Sequence, residues 1–342
     1  MRYLLIGESK DESLELHYIA ALTRLGIEIE HFQIDRILSL PETSGLFFRL
    51  IRRLANILAV KLIARRFLMT IRQNKYHAII VFKGMPLSFR TIEMAKNISK
   101  SSVWVNINPD DPFNIGSKGS TNKNVMKSVP LFDLYVTWSE ILAKKINKVS
   151  SGRVEVIPFA YSIDSHREHI INLEEKIDIS FIGGWDPSRE RLLETAAQFN
   201  LKIYGDGWQR IRKNSPLRKF IIPRNISGDD YSRIVKSSKV SVNILRPQNY
   251  GSHNMRTFEI PAMGGVMLTT RSNEQQKFFP DGRCSMMFDG DDEFIKKIQL
   301  LLSSKLLRNQ IRLNAIKASR YHSYDSRAKN LVKFISEAFC AK

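Results

Sequence analysis

The sequence has little cysteine: Cys284 and Cys340 are the only two among its 342 residues. They lie far apart in the chain, and neither belongs to a Cys-x-x-Cys or Cys/His spacing. The sequence therefore gives no support to a disulfide-stabilised scaffold or to a zinc site. This cysteine usage favours a reducing compartment such as the cytoplasm.

Long apolar runs are also lacking. No stretch approaches the roughly 18–20 apolar residues that a transmembrane helix needs. The apolar run in the N-terminal MRYLLIG is too short for a signal peptide, so we expect it to be a first strand. A composition of 43% apolar and 25% charged residues is that of a globular protein, and the length predicts about two domains.

Acidic residues are scarce relative to basic ones. The chain has 34 Asp and Glu against 53 Lys and Arg, a formal net charge of +19. The excess is spread evenly: residues 1–161 have 23 basic and 14 acidic residues (+9), and residues 162–342 have 30 and 20 (+10). Such a charge is typical of proteins that meet nucleic acid, an anionic membrane surface or phosphorylated substrates.

One segment, from Thr43 to Ile92, contains no acidic residue but ten Lys and Arg. Within it, residues 46–75 have apolar side chains at roughly helical spacing. These are Phe47, Leu50, Leu54, Ile57, Leu58, Leu62 and Leu68. The pattern fits a domain helix with a solvated basic face, and it also fits a helix that contacts an anionic membrane. Aromatic residues that stack bases are not interleaved with the arginines, so we expect no nucleic-acid partner.

Apolar runs alternate with helical patterns along the chain, which predicts an α/β fold with parallel sheets. The predicted strands are 3–6, 77–82, 103–107, 134–137, 154–157, 178–183, 202–204, 240–245 and 266–270. We predict two tandem Rossmann-like domains that face each other across a cleft. The chain would divide into an N-terminal domain (1–161), a linker (162–176), a C-terminal domain (177–320) and a C-terminal helix (321–342) that packs toward the first domain.

Open α/β sheets bind ligands beyond the carboxyl ends of their strands. The segment GSHNMRTFEIPAMGG (251–265) follows the predicted strand 240–245. Asn254 is a good N-cap, and Arg256 adds a guanidinium in the first helical turn, so this helix start suits a phosphate. His253, beside it, can contact the same phosphate. Glu259, one turn further in, suits two vicinal hydroxyls such as those of a ribose. The same residues also fit a plain capped helix with an Arg–Glu surface pair.

Two more loops follow predicted strands. In FIGGWDPSRER (181–191), Gly183–Gly184 comes directly after a strand, and Arg189 lies just inside the next helix. In YGDGW (204–208), Gly205 follows a strand and can lie against a base or sugar. Each loop fits a nucleotide site, and each also fits an ordinary turn.

The first domain offers acidic residues at corresponding places. VWVNINPDDPFN (103–114) puts Asp110 and Asp111 just past a buried strand, where a carboxylate can act as a general base or hold a sugar hydroxyl. Gly7 and Glu8, after the first strand, are candidates of the same kind. Asp-Pro is also common in turns, so a structural role for the two aspartates stays open.

The segment from about 178 to 335 resembles the C-terminal domain of CgeB-like glycosyltransferases, in the glycosyl transferase family 1 group of the GT-B fold. The resemblance is carried by FIGGWDPSRERLLE (181–194), YGDGW (204–208), YSRIVKSSKVSVNIL (231–245), HNMRTFEIPAMGGVMLTT (253–270), FFPDGRCSMMFDGDDEF (278–294) and YHSYDSRAKNLVKFI (321–335). It implies that the second domain holds a nucleotide-sugar donor and the first domain binds the acceptor.

The resemblance also implies roles for individual residues. Glu259 becomes the ribose ligand, and the helix start at 253–257, including Thr257, becomes the diphosphate site. Arg189 and the Gly183–Gly184 loop close around the same diphosphate. Neither a cofactor nor a catalytic metal is expected. Many related retaining enzymes have a glutamate eight positions before the ribose ligand, where this chain has Gly251, so the resemblance does not fix the stereochemical course.

The sequence therefore predicts a metal-independent, hexosyltransferase-like GT-B enzyme in the cytoplasm, at the inner face of the membrane if residues 46–75 bind lipid. It would move a sugar from a nucleoside-diphosphate sugar to a hydroxyl of a surface polysaccharide or lipid-linked glycan. Two alternatives stay open. One is a nucleotide-sugar epimerase of the same fold, and the other is a non-catalytic coat or envelope assembly protein.

Overall fold

The computed structural model describes residues 1–38, 46–115, 121–166 and 174–342, and for residues 37–38 and 46–54 it describes the backbone only. The chain forms two compact units. The first contains Met1–Pro158 and Asp325–Lys342, and the second contains Phe159–Tyr324. The described residues of the predicted linker, 162–176, belong to the second unit. Its residues 167–173 lie outside the described ones.

The first unit is a parallel six-stranded sheet with helices, in the strand order β2-β1-β3-β4-β5-β6. Its strands are β1 (Arg2–Gly7), β2 (Glu28–Gln33), β3 (Ala78–Phe82), β4 (Val103–Asn108), β5 (Leu134–Thr137) and β6 (Arg153–Val156). Its helices are α1 (Leu14–Arg24), α2 (Asp35–Leu38), α3 (Leu46–Gln73), α4 (Phe89–Ile98), α5 (Lys123–Ser128) and α6 (Glu140–Ile146). β1, β3, β4 and β5 are buried apolar runs, which is why the sequence predicts them.

The C-terminal helix α13 (Tyr324–Cys340) packs on the first unit. Asp325, in its first turn, pairs with Arg24 at 2.7 Å. Glu337, near its end, pairs with Arg153 at 2.6 Å. Leu331 and Ile335 are buried between these two ion pairs. The last helix therefore completes the unit that the first residues begin.

The second unit is also a parallel six-stranded sheet, in the order β12-β11-β10-β7-β8-β9. Its strands are β7 (Ile177–Ile182), β8 (Leu201–Tyr204), β9 (Ile221–Ile222), β10 (Ser238–Asn243), β11 (Met267–Thr270) and β12 (Met286–Phe288). Its helices are α7 (Pro187–Thr195), α8 (Gly228–Ser237), α9 (Arg256–Ala262), α10 (Asn273–Phe278), α11 (Gly290–Ser303) and α12 (Lys305–Ser319). Phe181, Ile203, Val242, Leu268 and Phe294 are among its core residues. The predicted pair of parallel α/β sheets is confirmed.

Each strand order has one point at which it reverses. In the second unit the reversal lies between β7 and β10, and in the first unit it lies between β1 and β3. Helices leave the neighbouring strands toward opposite faces at such a point, so a crevice opens beyond the carboxyl ends of the two strands. The loops after β7 and β10, and those after β1 and β3, are therefore where ligands are expected.

The apolar face predicted for residues 46–75 is not the side that α3 packs inward. The buried side chains are Ile63, Phe67 and Ile71, spaced four residues apart. Ile57, Leu58 and Leu62, which the prediction placed on the apolar face, are exposed, while Phe47, Leu50 and Leu54 lie outside the residues whose side chains are described. α3 has apolar residues on two sides, and spacing alone cannot say which side meets the sheet, so a domain helix and a membrane-contacting helix both stay open for this segment. Among the described residues, no helix has the length and apolar character that crossing a bilayer requires.

Candidate functional site

The loop after β7 lies at the reversal point of the second sheet and is held by its neighbours. The N–H of Gly183 donates to the carbonyl oxygen of Tyr204 at 2.9 Å. Gly205, in the loop after β8, has φ of +127°, and a Cβ there would lie 2.5 Å from the carbonyl oxygen of Gly183. Because only glycine adopts this conformation without strain, Gly205 lets the two loops lie in direct contact.

Arg189 anchors the β7 loop to the end of β10. Its guanidinium is buried and donates to the carbonyl oxygen of Ile244 through Nε (3.1 Å) and Nη2 (2.7 Å), and to that of Gly184 through Nη1 (2.9 Å). Burial, together with the nearby guanidinium groups of Arg246 and Arg256, lowers the pKa of Arg189 to about 10. The group keeps its charge at neutral pH. Its N–H donors bond to backbone carbonyl oxygens, so Arg189 holds the β7 loop in position.

Arg256 and Glu259 form an ion pair at the start of α9. Arg256 Nη1 donates to Glu259 Oε2, and Arg256 Nε donates to the carbonyl oxygen of Ile182 at the end of β7. The hydroxyl of Tyr231 donates to the same carboxylate oxygen at 3.2 Å, and its ring lies 4.5 Å beneath the Arg256 guanidinium. Burial alone would lower the pKa of Arg256, but the charge of Glu259 outweighs it and holds that pKa above its ordinary value.

The Glu259 carboxylate is almost fully covered. Its side chain is 3% exposed, against 31% for Arg256. Its second oxygen lies 3.8 Å from Nε2 of His166, whose Nδ1 accepts from the N–H of Ser162. The predicted Arg–Glu pair is therefore present, but it is a buried pair and not a surface one. Glu259 holds the Arg256 guanidinium at the end of β7.

His253 is fully buried and bonded within the protein. Its Nε2 accepts from the N–H of Phe159 at 3.3 Å, which leaves the proton on Nδ1 to donate to Glu274 at 2.7 Å. The rings of Phe258 and Phe278 lie edge-on at 5.3 and 5.2 Å. The structure places His253 in an aromatic cluster, with both ring nitrogens hydrogen-bonded within the protein.

Asn254 and Thr257 form a hydrogen-bond network at the start of α9. Asn254 Oδ1 accepts from the N–H of Thr257 at 3.1 Å, which is the capping bond expected of it. Its Nδ2 donates to Asn243 at 2.8 Å, and the Thr257 hydroxyl donates to Gln275 at 2.8 Å. α9 spans seven residues and ends one residue beyond Pro261, so the proline keeps it short. The network fixes where α9 starts relative to β10.

Arg246, which sequence analysis did not single out, lies at the same reversal point. It follows β10 by three residues, and its Nη2 lies 2.9 Å from where a Cβ on Gly184 would be. Its Nε is buried and has no hydrogen-bond partner in the part of the chain that the structure describes. The signal in the sequence was available: Arg246 is the first cation after the buried run VSVNIL and directly precedes Pro247.

The first unit has its own charged cluster at the reversal point of its sheet. Lys83, just after β3, pairs with Asp110 at 2.7 Å and has φ of +54°, which is uncommon for a residue other than glycine. Asp111 is bonded differently: its Oδ1 accepts from the N–H of Phe113 at 2.9 Å, a turn-type bond, and its Oδ2 lies 3.7 Å from Lys145. The two predicted aspartates therefore differ in their contacts: Asp110 pairs with Lys83, and Asp111 accepts a bond within a turn.

Gly7, the last residue of β1, and Glu8, which follows it, lie beside this cluster. A Cβ on Gly7 would lie 2.4 Å from Cγ of Glu15, so glycine is needed for Glu15 to pack against the strand end. Burial raises the pKa of Glu15, although its carboxylate accepts from the N–H of Glu8 at 3.3 Å. The edge of the sheet at β1, β3 and β4 therefore carries Glu15, Lys83 and Asp110.

Two parallel α/β units with these strand orders have the GT-B fold. A family model described as "Glycosyl transferase-like" matches residues 189–333, which is less than half of the chain. This match and the structural neighbours together support a GT-B glycosyltransferase. A search of curated proteins gave no match.

Solved structures with the same fold include the following three. Sucrose-phosphate synthase from Thermosynechococcus elongatus has a TM-score of 0.72 and 14% identity, with all of both chains covered. HepE (Alr3699) of Anabaena, in complex with UDP-glucose, has a TM-score of 0.69 and 13% identity over 98% of this chain and all of that one. AviGT4, a glycosyltransferase involved in avilamycin A biosynthesis, has a TM-score of 0.64 and 10% identity over 100% and 98%.

Proposed function

We propose that this protein transfers a sugar from a nucleoside-diphosphate sugar to an acceptor hydroxyl of a surface polysaccharide or lipid-linked glycan. The acceptor oxygen bonds to the anomeric carbon while the bond from that carbon to the diphosphate oxygen breaks. The hydroxyl proton passes to a carboxylate, and the nucleoside diphosphate leaves with the electron pair. We further propose that the enzyme belongs to the CgeB-like subgroup and acts without a metal or cofactor.

The observation that carries the proposal is the charge at the reversal point of the second sheet. Three guanidinium groups, those of Arg189, Arg246 and Arg256, lie close together there, and the nearby carboxylates are Asp186 and Glu259. Among the described residues these two carboxylates compensate two of the three positive charges, which leaves one beside the glycine loop. Such a site favours a diphosphate, because fixed cations stabilise a leaving group that gains negative charge. HepE, which shares the fold, is in complex with UDP-glucose, which further supports this class of donor.

We assign the remaining donor contacts on the same basis. The diphosphate lies against the Gly183–Gly184 and Gly205 loops, and Arg189 holds the first of these loops in position. Asn254 and Thr257 set the start of α9, which carries Arg256 as a diphosphate ligand and Glu259 as the ribose ligand. His253 supports α9 from its buried aromatic cluster.

In the first unit we propose Asp110 as the general base. Its side chain is at the carboxyl end of β4 and is held by Lys83, which keeps it oriented. The strained φ of Lys83 supports a functional role, because such strain concentrates at functional sites. Asp111 is engaged in a turn and is assigned a structural role beside it.

A nucleotide screen tests the donor proposal. Thermal unfolding is followed with UDP, GDP, CMP and dTDP, and we expect one of them to stabilise the protein. A ligand at 100 times its Kd adds about 2.7 kcal/mol to the free energy of unfolding. If none shifts the transition, the donor proposal fails and a non-catalytic coat or envelope protein becomes the better candidate. Isomerised nucleotide sugar without any acceptor would instead identify an epimerase.

The exposed face of α3 supports attachment to an anionic membrane, the environment of a lipid-linked acceptor. Four large apolar side chains there are between 41% and 66% exposed: Ile57, Leu58, Leu62 and Met69. At 3.6 residues per turn, they share an arc of about 180° with four exposed cations. These are Lys61, Arg65, Arg66 and Arg72. Apolar and basic residues mixed on one helix face are typical of helices in a lipid interface, at the inner face of the membrane if the protein is cytoplasmic.

Liposome flotation tests this attachment. We expect the wild type to float with vesicles containing phosphatidylglycerol and not with neutral phosphatidylcholine vesicles. Replacing Lys61, Arg65, Arg66 and Arg72 with glutamine should abolish flotation, since each basic residue contributes about 1 kcal/mol near such a surface. The control removes four other exposed lysines, Lys127, Lys144, Lys148 and Lys213. Equal flotation of both variants would show that net charge, and not this face of α3, binds the vesicles.

A further inference from the structure

Within the donor site just proposed, Arg246 has a buried Nε that finds no hydrogen-bond partner among the described residues. Arg246 lies beyond the carboxyl end of β10, across the reversal point from the β7 loop. Its guanidinium reaches over Gly184, where a Cβ would come within 2.9 Å of Nη2. Any larger residue at 184 would therefore push Arg246 out of this position.

The other two guanidinium groups of the cluster already form hydrogen bonds within the protein. Arg189 donates to two backbone carbonyl oxygens, and Arg256 donates to Glu259 and to the end of β7. Arg246 differs, because its buried Nε has no hydrogen-bond partner among the described residues. A buried donor of a charged group costs free energy when unpaired, and a bound anion would remove that cost.

Charges of both signs lie near Arg246. It lies close enough to Arg189 to lower the pKa of that group, and Asp186 is the nearby carboxylate whose pKa it lowers. Asp186 is also used as the cap of α7, where its Oδ1 accepts from the N–H of Ser188 at 2.9 Å. A third guanidinium at this place would bind an anion that enters, and the anion would pair with the unpartnered Nε.

We propose that Arg246 is the principal ligand of the donor diphosphate, its guanidinium binding phosphate oxygens over Gly184. The inference rests on the proposed function. It adds the residue that makes the protein bind a nucleoside diphosphate more tightly than the nucleoside alone. A guanidinium fork matches two phosphate oxygens at once. Arg246 therefore sets affinity for the leaving group, while Glu259 sets affinity for the ribose.

The test compares Arg246→Gln and Arg246→Lys with the wild type by calorimetric titration of UDP and uridine, or GDP and guanosine if the screen selects that base. We expect Arg246→Gln to weaken diphosphate binding about 10- to 100-fold, as for a lost hydrogen bond to a charged group. Nucleoside binding should stay unchanged, and Arg246→Lys should restore part of the loss. The control is Arg210→Gln, which removes an exposed arginine of the same unit and should not change either affinity.

A second readout separates ligand binding from a structural role. Because the buried Nε of Arg246 has no hydrogen-bond partner among the described residues, Arg246→Gln should leave the thermal stability of the unliganded protein unchanged or higher, whereas a structural arginine would lower it on removal. Diphosphate affinity within twofold of the wild type would overturn the assignment of Arg246 alone. If the wild type binds no nucleotide, the proposed function itself fails, so the two failures are distinguishable.

Discussion

Replacing Asp110 with asparagine should lower the rate of sugar transfer by about 10²–10⁴-fold, the range that a general base contributes. Asparagine has nearly the same shape and still accepts a hydrogen bond from Lys83, but it cannot take a proton. Transfer to water, followed as nucleoside diphosphate released from the donor that the screen identifies, gives a rate without knowledge of the acceptor. Nucleotide affinity should stay at the wild-type value, because Asp110 belongs to the first unit and the donor site to the second.

The neighbouring aspartate provides a matched control. Asp111 Oδ1 accepts a bond from the N–H of Phe113, and the amide oxygen of asparagine can accept the same bond. Asp111→Asn should therefore change the rate by less than about threefold, because no proton transfer depends on it. Equal losses in both variants, or a rate for Asp110→Asn within twofold of the wild type, would remove Asp110 from the mechanism.

Replacing Glu259 with alanine should lower the free energy of unfolding by about 3 kcal/mol and abolish measurable nucleotide binding. Breaking a buried ion pair leaves an uncompensated charge and costs about 3–5 kcal/mol. The lower end applies here, because the Arg256 side chain keeps 31% exposure and water can reach it. Urea unfolding measures the first effect, and titration with the stabilising nucleotide measures the second.

Two companion variants make the Glu259 result interpretable. Glu174→Ala breaks the pair that the exposed Glu174 forms with Lys176, so it should cost less than about 1 kcal/mol. Glu259→Gln keeps the side chain in place and is the variant to titrate if alanine prevents folding. Unchanged nucleotide affinity in Glu259→Gln would contradict the ribose assignment, since an amide offers only one acceptor oxygen where the carboxylate offers two.

The fold could be predicted because most of its strands are buried on both faces. AIIVF in β3 and VWVNIN in β4 are apolar runs that have few alternatives to a central parallel strand. β2, with the sequence EIEHFQ, was missed because it lies at the edge of the sheet and is half-buried, so its glutamates interrupt the apolar pattern. β9 and β12 were missed because two and three residues are too short to show a period.

The sequence could predict where the site lies, but not which hydrogen bonds its residues form. Sequence patterns located polar residues at the carboxyl ends of strands, where the strand orders put the reversal points. They could not show that Arg189 bonds to Ile244, 55 positions away, or that His253 bonds to Glu274, 21 positions away. Whether a cation is free for a ligand depends on such distant partners. For that reason Arg246, whose Nε has none among the described residues, emerged only from the structure.

The return of α13 to the first unit has a consequence for how the chain folds during synthesis. Residues 159–324 are in effect an insertion between two parts of one unit, because that unit needs both 1–158 and 325–342. Domains ordinarily form as they emerge, the N-terminal one first. Here the inserted unit has all of its residues before the N-terminal unit receives its final helix, with the Arg24–Asp325 and Arg153–Glu337 pairs closing last.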